Sequence, residues 1–294
     1  MKKRTAIIGA LVSLLPMGQT FVIGTGAALT SAAVMFSVLE KANAQSAADF
    51  YYNRGIKKQD AGDHQGAITD LNKAIEINPR DEKAYLVRGY SKHYIEEYYG
   101  AIADFNRAIQ INPNYDKAYN NLGWTKNKIE DYYGAIYDLN RAIEINPRYA
   151  YAYSNRGNSK HNLEDYYGAI SDYNKAIEFD SNYINAYYNR GIAKRKLEDY
   201  YGAISDYSKA LEINPNYKSA YLNRGVAKDK LEDYYGAISD YSKALEINPN
   251  YKSAYKNRGI SKENLGDMKG ACSDWRKASS LGDNDAQKWV KEDC

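Results

Sequence analysis

Metal or nucleophilic chemistry in this chain of 294 residues would have to come from three histidines and two cysteines. His93 and His161 hold equivalent places two repeat units apart, too distant to share one metal, and His64 stands alone. Gly24 and Gly26 lack the third glycine of a dinucleotide-binding turn, and no glycine-rich phosphate loop ending in Lys-Ser or Lys-Thr occurs. No nucleophile stands beside a base. The expectation is a protein without catalysis, metal or cofactor. The charged residues instead form columns. Asp70, Asp104, Asp138, Asp172, Asp206, Asp240 and Asp274 recur one per unit. Arginines from Arg54 to Arg258 and lysines from Lys58 to Lys262 recur with them. Buried charges persist only when paired, so an internal Arg–Asp–Lys ladder is expected rather than a ligand site.

The elements that position these columns follow from a period of 34 residues. Gly55, Gly89, Gly123, Gly157, Gly191, Gly225 and Gly259 keep it, as do a tyrosine column from Tyr51 to Tyr255 and alanine columns from Ala67 and Ala74. Seven units occupy about residues 48–285. In the third, Lys117–Lys128 and Tyr132–Ile145 are predicted helices, with Asp131 as N-cap and Asn146-Pro147 as the stop. Ile136, Leu139, Ala142 and Ile143 give the second helix an apolar stripe. Neither helix buries its stripe alone, so the units must stack. Leu197–Tyr221 and Leu231–Tyr255 are identical, the mark of an internal duplication.

Composition agrees with an array rather than one large core: the chain has 31 tyrosines, 5 phenylalanines and 6 prolines. Its net charge is +3, and all of that excess lies in the first 44 residues, through Lys2, Lys3, Arg4 and Lys41 against Glu40. The remainder is neutral and lacks the electrostatic footprint of a nucleic-acid binder. Residues 1–44 read as an export signal: a basic start, an apolar stretch, then Ala42-Asn43-Ala44 before Gln45. The alternative is a membrane anchor within residues 6–39. Either places residues 45–294 outside the cytoplasm, in the periplasm or another extracytoplasmic space.

The aromatic at Tyr119, with Gly123, Ala135, Leu139, Ala142 and Pro147, resembles the tetratricopeptide repeat, and seven such units cover about four-fifths of the chain. The chain departs from the family in its arginine and lysine columns and at Ser181, where a proline is expected. The resemblance implies an all-α, right-handed superhelical solenoid whose concave face binds extended peptides or protein segments. Its groove columns map here onto residues that vary between units. Tyr90, Tyr94 and Trp124 would form an aromatic patch beside Asn120 and Asn127, and aromatic anchors are typical hot spots. Tyr52, Asn158, His161, Arg195, Lys196 and Lys230 would supply further contacts, the last ones positive. Lys256 precedes Ile260 and Ser154 precedes Asn158, so the Lys-x-x-x-Asn pairing that clamps a C-terminal carboxylate is absent. A protein or peptide partner is therefore expected. A glycan stacked on the tyrosines is the alternative, and the recurring tyrosine pairs and connection tyrosines read as framework.

Cys272 replaces an isoleucine of the repeat, and Cys294 is the last residue. A turn at Gly282–Asp285 followed by a short helix from Ala286 to Cys294 would fold back antiparallel. Residues symmetric about position 283 then oppose each other, which pairs Cys272 with Cys294. An oxidising compartment favours that disulfide, and the helix would cap the last apolar face, as solenoids require.

Overall fold

The computed structural model describes residues 27–294. Among these, fifteen helices follow one another with no strand. They are α1 (Ala27–Asp60), α2 (His64–Ile77), α3 (Glu82–Tyr94), α4 (Tyr98–Ile111), α5 (Asp116–Lys128), α6 (Tyr132–Ile145), α7 (Ala150–Asn162) and α8 (Tyr166–Phe179). After them come α9 (Ile184–Lys196), α10 (Tyr200–Ile213), α11 (Lys218–Lys230), α12 (Tyr234–Ile247), α13 (Lys252–Asn264), α14 (Met268–Ser280) and α15 (Asn284–Glu292). The predicted boundaries of the third unit hold, except that α5 begins one residue earlier, at Asp116. Asp131 caps α6, its Oδ1 accepting from the Gly134 amide at 3.0 Å. The same cap opens α2, α8, α10, α12 and α14, whereas Glu97 at the start of α4 makes no side-chain cap bond.

Each unit closes around one large side chain set against one glycine. A Cβ added at Gly157 would fall 2.7 Å from Tyr173 Cε1, so only glycine admits the ring there. Leu71, Phe105, Leu139, Tyr173, Tyr207, Tyr241 and Trp275 fill this place in turn, and all are buried. Between units, the second helix of one packs on the first helix of the next. The first helices of successive units also touch one another, from α1·α3 to α11·α13, and the second helices make no comparable contact. The array therefore curves with its first helices inside, which gives the concave face its lining.

The expected ladder is present. Arg88 Nη2 lies 2.5 Å from Asp104 Oδ1 and Lys92 Nζ 2.9 Å from Asp104 Oδ2, and the same trio recurs in every unit but the third. Five of the arginines also reach back to the previous unit's second helix, as Arg156 Nη1 does to Asn140 Oδ1 at 2.6 Å. In the third unit Leu122 takes the arginine's place and packs into the apolar cluster of Ala101 and Phe105.

Cys272 and Cys294 form the expected disulfide, with Cα atoms 5.6 Å apart. Helix α15 lays Trp289 and Val290 over Trp275 and Ala278, covering the last unit. Most of residues 1–44, expected to be an export signal, lies outside the described residues. Helix α1 starts within it and runs on through Ala42-Asn43-Ala44. Among the described residues no helix is long and apolar enough to cross a membrane.

Candidate functional site

Two clefts adjoin on the concave face and share Trp124, Asn158 and Asn189. One, of ≈ 360 Å³, runs from Tyr90 and Tyr94 past Asn121, Asn155 and Tyr151 to Tyr183. The other, of ≈ 330 Å³, continues past Asn127, Lys128, His161 and Ile192. Helices α3, α5, α7 and α9 supply nearly all of the lining, because the one-unit repeat brings the same helix face to the wall each time.

The aromatic patch assembles as expected. Tyr90 and Tyr94 lie 4.7 Å apart with their rings tilted by 44° and their hydroxyls 2.9 Å from each other, and both lie within 6.0 Å of Trp124. Tyr94 is 49 % exposed, with the His64 ring stacked on it at 4.8 Å. Burial and the Tyr94 bond push the Tyr90 phenol upward. Beneath them His93 stacks on Trp124 at 3.5 Å and bonds Thr125 Oγ1 at 2.9 Å. Burial, with the charge of Lys128, lowers the His93 pKa to about 4, so it is a neutral support for the indole.

The asparagines divide into two kinds. Asn120 and Asn127 are taken up internally: Asn155 Nδ2 donates to Asn120 Oδ1, and Asn127 bonds both the Asn155 carbonyl and Ser159 Oγ. Asn158 accepts from the Tyr173 hydroxyl at 2.8 Å and from Asn189 Nδ2 at 3.0 Å, while its own NH₂ donates to no described residue. Asn121, Asn155 and Asn189 lie outside the expected contacts, yet they line the clefts one per unit. Their shared 34-residue interval is visible in the sequence. Each carboxamide makes one internal bond, Asn121 Oδ1 accepting from Asn120 and the Nδ2 groups of Asn155 and Asn189 donating to Asn120 and Asn158. The rest of each carboxamide's donors and acceptors can meet an extended backbone.

The other expected contacts are spread more widely. Tyr52 packs at the first unit's junction and lines neither cleft. Arg195 is half-buried on the inner wall, and Lys196 and Lys230 are exposed at its rim. Lys256 is bound to the cap, 2.9 Å from Asp285 Oδ2 and 3.6 Å from Asp283 Oδ2. The tyrosine pairs split. Tyr98, Tyr132, Tyr166, Tyr200 and Tyr234 pack inward, but Tyr99, Tyr133, Tyr167, Tyr201 and Tyr235 are 76–77 % exposed, too open to be framework.

Comparison with known proteins agrees with this architecture. The tetratricopeptide repeat pattern matches residues 48–81, 82–115, 116–149, 158–197, 184–217 and 219–251. No curated protein sequence matches the chain. Among solved structures the chain is similar to MamA, with 25 % identity over 56 % of this chain and 97 % of that one, at a TM-score of 0.53. YrrB, described as a TPR protein with an unusual peptide-binding site, shares 23 % identity over 64 % of this chain and 97 % of its own, at 0.55. Pseudomonas aeruginosa PilF shares 19 % over 73 % and 100 %, at 0.64, a likeness of fold alone. The seven glycine-centred helix pairs, the curvature set by their first helices and the matched repeats place this chain in the tetratricopeptide-repeat family.

Proposed function

We propose that this protein is a noncatalytic scaffold that holds an extended segment of a partner protein in its concave groove, outside the cytoplasm. The tetratricopeptide fold is a protein–protein interaction scaffold, and the observation that supports this use here is the continuous lining from Tyr90 to Asn189. Tyr90, Tyr94 and Trp124 take an apolar side chain, and Asn121, Asn155 and Asn189 meet the backbone beyond it. The leader pattern and the Cys272–Cys294 bond support the extracytoplasmic address. The decisive experiment is in-cell crosslinking of wild type against a Tyr90→Ala, Tyr94→Ala, Trp124→Ala variant whose helicity is unchanged. Partners lost only from the variant support the groove; an unchanged partner set refutes it. The five exposed tyrosines from Tyr99 to Tyr235 favour a second reading, a glycan stacked along the outer edge. It predicts polysaccharide binding that survives the groove variant.

A further inference from the structure

Along the inner wall, a side chain of the second, third and sixth units bonds a hydroxyl in the unit that follows; Gln59 and Ser91 share that spacing in the first two units but are both unpartnered. His93 Nδ1 meets Thr125 Oγ1 at 2.9 Å, Ser159 Oγ donates to Asn127 at 2.7 Å, and Ser261 Oγ donates to Asp229 at 2.7 Å. The partners are 32 residues apart in each case. The same step from His161 and from Arg195 arrives at Ala193 and Ala227, which carry no hydroxyl. His161 Nδ1 and Arg195 Nε are buried and make no hydrogen bond.

The buried tyrosines show the same gap. The Tyr173 hydroxyl donates to Asn158 at 2.8 Å, and the Tyr241 hydroxyl donates to Asp229 at 2.5 Å. The residues in those places around Tyr207 are Ile192 and Arg195, and neither accepts a hydrogen bond. Tyr207 is wholly buried, and its hydroxyl faces the Arg195 guanidinium, which can donate to it but cannot accept its proton. Arg195 and Lys196 form no ion pair among the described residues, although six framework arginines each have an aspartate. One unit onward, the Asp229 carboxylate satisfies the corresponding tyrosine and serine together. The junction of the fourth to sixth units thus keeps the donors and lacks the acceptor.

We propose that this junction takes a carboxylate from the docked segment, an acidic side chain that stands where Asp229 stands one unit later. The inference rests on the groove reading above and specifies its ligand: an extended segment with an apolar residue for the Trp124 patch and an acidic one further along. A bidentate carboxylate engages the Nε and Nη donors of Arg195 together. The side chain therefore turns its buried Nε edge toward the groove on binding. His161 and Lys196 flank it, and Lys196 adds a second positive charge at the rim.

The test is an array of short random peptides, displayed both with free and with blocked carboxyl termini, probed with the full folded protein. Arg195→Gln removes the cation. Arg195→Asp rebuilds the Tyr241–Asp229 pairing on Tyr207, so it is expected to fold at least as well as wild type. Wild type should select peptides rich in Asp and Glu in both displays. Exchanging the selected acid for its amide should weaken binding about tenfold, and both variants should lose the preference while still binding. Selection of free carboxyl termini alone overturns the side-chain assignment. Peptides selected without an acidic preference, or with one that survives Arg195→Asp, overturn the site and leave the groove standing. An array with no bound peptide removes the groove reading and this inference with it.

Discussion

Asp70 and Asp138 occupy one place in the first and third units yet face opposite electrostatic balances. Hydrogen bonds from Arg54 and Lys58 outweigh burial and hold the Asp70 carboxyl down at about 2. At Asp138 the arginine is Leu122, and burial outweighs Lys126, so the pKa rises. Lys126 Nζ is 2.7 Å from Asp138 Oδ2, but the contact lacks hydrogen-bond alignment. Asp172 keeps both cations, so Asp172→Asn should cost about 3–5 kcal/mol by leaving buried charge unpaired. Asp138→Asn should stay within about 1 kcal/mol of wild type at neutral pH, since its charged form is already disfavoured. Urea titration of the two variants checks the contrast. His93 gives a second residue-scale outcome. Its folded pKa of about 4 lies below its unfolded value, so the unfolded state binds more protons between the two. Its contribution is therefore full above about pH 6.5 and is lost as pH falls toward 4, by as much as about 3 kcal/mol. Between those limits, wild type should lose more stability than His93→Gln in paired urea curves.

At the scale of the element, the turns between paired helices carry a repeated strain. Glu96, Glu130, Glu164, Glu198 and Glu232 adopt φ of 60–64°, a region that disfavours any side chain. Glycine holds the same place at Gly62, Gly266 and Gly282. Glu164→Gly should therefore stabilise the protein by up to about 1 kcal/mol, seen as a raised melting temperature. Gly157→Ala should destabilise it by about 1–3 kcal/mol, because the Tyr173 ring has no room to withdraw. The helices were legible because each side chain's fate repeats: Asp131 as a cap, Ala135 as a contact and Pro147 as a stop recur often enough to average out local exceptions. The candidate site was legible only where it was aromatic. Tyr90, Tyr94 and Trp124 differ from their columns and were visible as such. The engagement of Asn120 and Asn127 depends on Asn155 and Ser159 of the next unit, a geometry that spacing does not encode. The exposure of Tyr99 is equally hidden, because adjacent tyrosines on one helix differ only in the direction they face.

In the whole molecule, stability passes from neighbour to neighbour, and its ends differ. Helix α15 covers the hydrophobic face of the last unit and is tied down by the Cys272–Cys294 bond and by Lys256. Cys294→Ser should reduce the stability of that end by about 3 kcal/mol. Faster hydrogen exchange confined to α14 and α15 would verify it, since solenoid units open locally. The junctions also differ in kind. Five are bridged by an arginine that holds its own unit's aspartate and reaches the previous second helix, whereas the junction at Leu122 is apolar. The identical helices α10 and α12 add something else. Excision of residues 198–231 would set α12 against α9 with every contacting side chain of α10 replaced by its twin. The chain can therefore shorten by one whole unit, or lengthen by one, with the seam between α9 and its neighbouring second helix unchanged; only the lighter contact between first helices, α13 in place of α11, is altered. Groove length becomes a heritable variable that changes in discrete steps, and the reach of the protein toward its partner can evolve by recombination alone.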